Sequence, residues 1–262
     1  MMTESVCYPS TKDVCMFIAE YSFWLFSSGS TVIRLEKNVR RIAEAFGMKV
    51  DFSILPHHIH ITVRDSGSLN SYTTVSEIKS GGISFNINTM LSRLSWDISD
   101  RKIGFDEAKE RLGCIVRSTG SLDPWLLIAL VSFANASFCR LFGGDIVAMG
   151  VVFISTAAGY LMKQILMERK VDFRLVVIIC SFISSILASA DGLFSLGCTP
   201  ELALGTSVLY LVPGIPFINS FCDMLDKHYI CAFVRMTDAV VVTACLSLGL
   251  LCSMMIMHKG MF

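Results

Sequence analysis

The second half of the chain consists of long hydrophobic runs without a charged side chain. Five such runs occur: Trp125–Cys139, Ile146–Met162, Leu175–Ala190, Leu202–Cys222 and Ala239–Met257. A helix that crosses the hydrocarbon core of a membrane needs roughly 20 mostly apolar residues, which predicts spans at about 124–141, 145–164, 173–191, 202–222 and 236–257. Because backbone polar groups in lipid must bond internally, each run is predicted to be a helix rather than a strand.

The first half has the pattern of a small mixed α and β domain. Apolar residues at helical spacing predict helices, and β-rich stretches predict strands. The predicted helices are Asp13–Ser27, Thr31–Phe46, Asn88–Asp100 and Phe105–Arg117, and the predicted strands are Val50–Leu55, Ile59–Val63 and Thr73–Ile78. Gly47 lies where a helix stop is expected. The predicted fold class is therefore a multi-pass α-helical membrane protein with five transmembrane helices (121–262), preceded by a small cytoplasmic α+β domain (1–120).

Composition supports this division and excludes some functions. Charged residues make up 17% of the 262 residues, against about 25% in an average soluble domain, and the net charge is zero. Without a basic block, nucleic acid is not an expected partner. The ten cysteines show no zinc-type spacing. A metal site at His57, His58 and His60 is conceivable, but alternate strand residues face opposite sides, so a polar hairpin is favoured. No metal or cofactor is expected.

Basic residues near the helix ends predict the orientation. The loops after the second and fourth runs hold these cations: Lys163, Arg169, Lys170, Arg174, Lys227 and Arg235. The loop Asp191–Glu201 has none. The positive-inside rule therefore places residues 1–120 in the cytoplasm and Phe262 outside. Met1–Ser10 lacks the apolar core of a signal peptide, which agrees with that orientation.

The fourth run contains a helix breaker. Pro213, Gly214 and Pro216 interrupt helical hydrogen bonding in mid-run. Discontinuous helices often line substrate sites in transporters, although a packing kink is the alternative. Polar residues follow within a few helical turns. The candidates for substrate binding or gating are Pro213, Gly214, Asn219, Asp223, Arg235 and Asp238.

Several of these charged residues have two interpretations. The guanidinium of Arg235 could bind a substrate carboxylate, but it is also an ordinary positive-inside anchor. Asp238, three residues further, could neutralise it on the same helix face. Asp145 and Asp191 edge the second and third spans. Acidic residues there are often functional, and a solvated helix end is the alternative. Asn135 in the first span is expected to bond to another helix rather than to substrate.

The sequence around the helix breaker resembles a known family. Leu211–Asp223, LVPGIPFINSFCD, resembles the Pro-Gly signature of the threonine/serine exporter family. His228-Tyr229 and Arg235 fit its continuation, whereas Lys227 and Cys231-Ala232 stand where small or glycine residues are expected. In the first half, three more segments are similar to the family: Ser28–Glu36, Arg40–Gly47 and Phe105–Leu112. The resemblance covers nearly the whole chain.

The resemblance implies an exporter of the inner membrane. The chain is similar to the larger member of a split pair, the type linked to export of succinate as well as threonine and serine. A small integral membrane protein of related type would be its partner. The lipid bilayer and a small carboxylate substrate complete the expected partners, and the complex could be a homo- or hetero-oligomer.

Two other function classes remain open on the sequence. The spans could tether an enzymatic or regulatory domain, or the chain could be an assembly scaffold for another transporter. No GxSxG elbow supports a hydrolase, so no enzyme activity is expected. No GxxxxGK[ST] loop occurs, so ATP is not the expected direct energy source. A secondary transporter subunit driven by an ion gradient is the favoured interpretation.

Overall fold

The computed structural model describes residues 9–55, 58–67, 70–78, 82–117, 122–193 and 197–259. In chain order its elements are α1 Thr11–Ser27, α2 Val32–Ala45, β1 Met48–Ile54, β2 His58–Asp65, β3 Ser71–Glu77, α3 Phe85–Ser99, α4 Phe105–Arg117, α5 Pro124–Leu141, α6 Ile146–Glu168, α7 Phe173–Leu193, α8 Pro200–Ser207, α9 Gly214–Leu225 and α10 Tyr229–Lys259. The chain divides into two compact units. The first unit combines Met1–Gly120 with Ile215–Met236, and the second combines Ser121–Gly214 with Thr237–Phe262.

The first unit is built on a three-stranded antiparallel sheet in the order β1-β2-β3, against which α1 packs. Alternation along β2 sets its buried face, because Ile59, Ile61 and Val63 are fully buried and His58 and His60 are exposed. The predicted helices and strands of this half are confirmed, with ends that shift by a few residues.

Gly47 marks the end of α2, as the sequence predicts. The helix closes at Phe46, and Gly47 takes the left-handed conformation with φ of 71°. Its N–H donates to the carbonyl of Glu44 at 3.0 Å. A residue without a Cβ adopts this conformation without strain, so the chain can turn directly from α2 into β1.

The second unit carries the hydrophobic helices. By length and composition, four helices could cross a membrane: Pro124–Leu141, Ile146–Glu168, Phe173–Gly192 and Tyr229–Met257. A fifth candidate is the pair Pro200–Leu211 and Gly214–Leu225, which is bent by 64° at the predicted break. Four of the five predicted spans thus have a continuous helix. The count of five depends on whether the bent pair forms one span.

Apolar side chains cover the outside of these helices, while polar ones are buried. Leu130, Ile154 and Leu248 are at least half exposed, whereas Ser181 and Ser185 are fully buried. This distribution reverses that of a soluble protein and is expected where lipid surrounds the helices.

Helix α10 is longer than its predicted span. Its 31 residues extend about 46 Å at 1.5 Å per residue, against a hydrocarbon core of about 30 Å. Its first two turns, up to Met236, pack in the first unit together with α9. Residues 215–236 therefore pack with the amino-terminal 120 residues. The predicted boundary at residue 120 assigns them instead to the membrane part.

Candidate functional site

A tight helical hairpin positions the polar residues that follow the helix breaker. Helix α9 ends at Leu225 and α10 begins at Tyr229. Lys227 between them takes the left-handed conformation, with φ of 64°. Glycine adopts this conformation most easily, which explains why the family pattern leads one to expect a small residue here. The hydroxyl of Ser220 donates to the carbonyl of Ala232 at 2.6 Å and ties the two helices together.

Asp223 on α9 caps a helix that lies far away in sequence. Its carboxylate is fully buried, and Oδ1 accepts a 2.8 Å hydrogen bond from the backbone N–H of Val32. Val32 is the first residue of α2, and the side chain of the N-cap residue Thr31 makes no capping bond. The positive end of a helix favours a carboxylate at this place. Asp223 therefore supplies the cap that the local sequence lacks.

Arg235 and Asn219 bind the same loop. Arg235 donates from Nη1 to Asp223 Oδ2 and from Nη2 to the carbonyl of Ser30, both at 2.8 Å. Its guanidinium also lies 4.5 Å from the ring centroid of Phe26. Asn219 Nδ2 donates to the carbonyl of Gly29 at 2.8 Å. We call these contacts the loop clamp: Asn219, Asp223 and Arg235 on the hairpin, and Gly29–Val32 between α1 and α2.

The loop clamp brings together three of the six predicted site residues. Their polar groups bond to the chain itself, so this arrangement favours a docking or gating role over direct substrate binding. The predicted Arg235–Asp238 pair is wrong: among the described residues no salt bridge joins them, and Asp238 is exposed. Pro213 lies in the two-residue break, and Gly214 begins α9.

The clamp also joins the two regions that carry the family resemblance. The α1–α2 loop belongs to Ser28–Glu36, and the hairpin residues belong to the Pro-Gly signature and its continuation. A further contact links them, since His228 Nε2 lies 3.6 Å from Glu36 Oε2. The two motifs are thus parts of one structural unit, which their separation in sequence concealed.

A second group of polar residues surrounds the break from within the second unit. Helix α8 ends at Ser207, and a 3-10 turn follows in which the N–H of Leu211 bonds to the carbonyl of Val208. The carbonyl of Ser207 therefore lacks its usual helical partner and accepts from the Thr156 hydroxyl at 3.5 Å. Asn135 Nδ2 donates to Thr156 Oγ1 at 3.1 Å and to the Thr206 carbonyl at 3.4 Å. The predicted bond from Asn135 to another helix is confirmed.

Tyr210, just before the break, extends this group. Its hydroxyl lies 3.0 Å from that of Ser184 on α7, and its ring packs edge-on against Tyr160 with centroids 5.9 Å apart. Gly159 makes room for both hydroxyls, because a Cβ at this position would collide with Ser184 Oγ and the Tyr210 hydroxyl. Close approach of helices at small residues is characteristic of membrane bundles.

Lys163 adds a cation to the group. It lies in α6, one turn after Tyr160, with its Nζ 5.4 Å from that ring's centroid. Its side chain is half-buried, and among the described residues no salt bridge neutralises it. The residues of this polar layer are Asn135, Thr156, Tyr160, Lys163, Ser184 and Tyr210. An ammonium is suited to bind a carboxylate through a charge-assisted hydrogen bond.

Sequence reasoning missed the polar layer because it treated Lys163 only as a loop cation. The spacing of Lys163 from Tyr160 (i, i+3) places both on one face of a helix, and this signal could have found the site. The metal site considered at His57, His58 and His60 is tested only in part. His58 and His60 are exposed, His57 lies outside the described residues, and no cluster in the described part could hold a metal ion.

Comparisons with known proteins agree with this architecture. Residues 14–257 match the family described as "Putative threonine/serine exporter" (ThrE). The "Probable succinate transporter subunit YjjP" of Klebsiella aerogenes is 24% identical over 93% of both chains, and the protein of that name in Escherichia coli K12 is 24% identical over 94% of this chain and 95% of its own. An uncharacterized Schizosaccharomyces pombe protein is 24% identical over 85% of this chain and 30% of its own.

No solved structure matches the chain. The names of the family and of the bacterial relatives are those of a transporter, not an enzyme. Together with the apolar helices, they identify a multi-pass membrane protein. The resemblance inferred from the sequence motifs is therefore confirmed over nearly the full length, and the chain belongs to the threonine/serine exporter family.

Proposed function

We propose that the chain is a subunit of a secondary transporter that exports a small carboxylate metabolite across the inner membrane. The observation that carries the substrate class is Lys163, a half-buried ammonium without a salt bridge among the described residues, which lies over the ring of Tyr160, itself packed against Tyr210. An intramembrane cation is costly and usually marks a substrate path. Threonine, serine and succinate all carry the carboxylate that would compensate it.

In this proposal, the break in the helix gives the substrate access to the polar layer. Because Thr206 and Ser207 bond to side chains of α5 and α6, the break is held open without exposing its carbonyls to lipid. A carboxylate bound at the polar layer would lie beside a segment that can change conformation at low cost. The loop clamp acts in this proposal as a gate element, since its ion pair ties the α9–α10 hairpin to the α1–α2 loop.

A small integral membrane protein is the proposed partner. The relatives are named as subunits of a succinate transporter, which supports a multi-component assembly. We also propose a cytoplasmic N-terminus and an external C-terminus. This orientation is supported by the exposed basic residues Arg169, Lys170, Arg174 and Lys227, which follow the second and fourth hydrophobic runs.

Counterflow in reconstituted vesicles tests the proposal. Vesicles that contain the full chain, with or without its partner, are loaded with succinate, threonine or serine. The same compound is then added outside in labelled form. At least one of the three is expected to exchange. If the partner alone transports at the full rate, the scaffold interpretation replaces this one. If none of the three exchanges, the proposed substrate class is wrong.

Lys163→Met is expected to lower exchange about tenfold or more, because a charge-assisted hydrogen bond contributes about 1.5–3 kcal/mol. Lys163→Arg keeps the charge and should retain part of the rate. Lys170→Met, in the exposed loop after α6, removes an equal charge and should leave exchange unchanged. Wild-type exchange by Lys163→Met would show that this ammonium does not meet the substrate.

A further inference from the structure

One carboxylate in the second unit is buried without a partner among the described residues. Asp191 lies near the end of α7 with no exposed surface, and in the part of the chain that the structure describes neither of its carboxylate oxygens has a hydrogen-bond partner. The solvated helix end considered for this residue is therefore wrong. A buried carboxylate normally accepts several hydrogen bonds or pairs with a cation, because its desolvation otherwise costs several kcal/mol.

Asp145 shows the normal case in the same neighbourhood. It precedes α6, and its carboxylate accepts from the N–H groups of Ala148 and Cys198, both at 2.7 Å. The Cys198 hydrogen bond is the largest cause of a pKa below the usual value for Asp145, and the one from Ala148 adds to it. This carboxylate is therefore negatively charged at neutral pH.

The two carboxylates lie close together. Gly197 passes between them, and a Cβ there would be 2.9 Å from an oxygen of each, so these two oxygens are less than about 6 Å apart. Two carboxylates at this distance repel each other when both are charged. The buried carboxylate thus has two reasons to hold a compensating positive charge.

Among the side chains that the structure describes, no salt bridge supplies this charge. Arg140 at the end of α5 is exposed and donates to the Gly144 carbonyl at 3.1 Å. Glu201 on α8 is exposed and acidic. Along α10, 239–257 holds no charged residue and, among titratable ones, only Cys245 and Cys252; the side chains of His258 and Lys259, which follow, lie outside the described part of the chain.

A proton fits this environment better than a metal ion. It needs one oxygen, whereas a metal needs several ligands, and no group of three His, Cys, Asp or Glu side chains in the described part of the chain could hold a metal ion. We propose that Asp191 binds and releases the proton that drives export. The inference rests on the proposed transport function and names its coupling ion and the residue that carries it.

Asp191→Asn separates coupling from substrate exchange. Asparagine has the shape of the protonated acid but cannot release a proton. In vesicles with the complete transporter, we expect the variant to lose pH-gradient-driven transport of succinate or threonine by about tenfold or more, a magnitude typical of coupling between two ligands. Counterflow without a gradient should persist. Glu201→Gln, at an exposed acid of the same region, should keep both activities.

A second measurement does not depend on the substrate. An apolar carbodiimide reacts with protonated carboxyl groups in apolar surroundings, and peptide mass spectrometry locates the adduct. We expect an adduct on Asp191 that increases as pH falls and none on Asp145. Gradient-driven transport by Asp191→Asn, or an unlabelled Asp191, would overturn the inference. Labelling of Asp191 in a wild type that exchanges no substrate would support its protonation and refute only the proposed function. A gradient of sodium ions that drives wild-type transport without a pH gradient would overturn the choice of proton.

Discussion

Replacement of Asp223 by alanine is expected to lower the stability of the first unit by about 3–5 kcal/mol, the usual cost of removing one partner of a buried ion pair. The substitution leaves the N–H of Val32 uncapped and the guanidinium of Arg235 with the Ser30 carbonyl as its one remaining hydrogen-bond acceptor among the described residues. The thermal unfolding of the purified full chain in detergent, followed by the fluorescence of its tryptophans, measures this loss.

Two related variants show whether the charge or the shape of Asp223 matters. Asp223→Asn keeps an oxygen for the N–H of Val32, so it should cost less than the alanine variant. Asp226→Asn removes an exposed acid three residues further and should leave the unfolding temperature within the experimental error. If Asp223→Ala unfolds at the same temperature as Asp226→Asn, the loop clamp does not stabilise the first unit.

Replacement of Gly249 by alanine is expected to separate α7 from α10 and to abolish transport. A Cβ at this position would collide with the backbone carbonyl of Ile178 and lie 2.9 Å from Ser181 Cβ and 3.0 Å from the N–H nitrogen of Phe182. Backbone atoms cannot relieve the clash by a change of rotamer, so the two helices themselves must move apart. Overpacking of this kind costs about 1–3 kcal/mol. The movement would also stretch the 2.7 Å bond from the Ser181 hydroxyl to the Leu246 carbonyl.

Gly150→Ala is the matched control. It lies in α6, and a Cβ there would have no atom within 4 Å. Alanine favours a helix over glycine by about 1 kcal/mol, so this variant should be as stable as the wild type or more stable. Both variants are compared by detergent unfolding and by counterflow. Equal behaviour of the two would show that the close approach at Gly249 is not required.

Local patterns were sufficient to predict the elements of the fold. Period-2 alternation around Ile59, Ile61 and Val63 set the central strand, and Gly47 set the end of α2, because both features depend only on neighbouring residues. The break at Pro213 also followed from local chemistry, since proline removes a helical donor wherever it occurs.

Long-range contacts determine which residues the candidate site brings together, and no local sequence pattern encodes these contacts. The bond from Val32 to Asp223 joins residues 191 positions apart, so the sequence offered Asp238 as the natural partner of Arg235 on spacing alone. The same limit applies to Asp191, which looked like an ordinary helix end. The return of the chain at Gly197 brings both Asp191 and Asp145 close to one backbone position.

The discontinuous make-up of the first unit has a consequence for biosynthesis. Its sheet and first helices leave the ribosome early, but α9 and the start of α10 follow only after the intervening hydrophobic helices. At synthesis rates of about 5–20 residues per second, the first turn of α2 waits roughly 10–40 s for Asp223. The amino-terminal domain is therefore completed only near the end of translation, and a chain truncated before residue 215 would lack the two segments that close it.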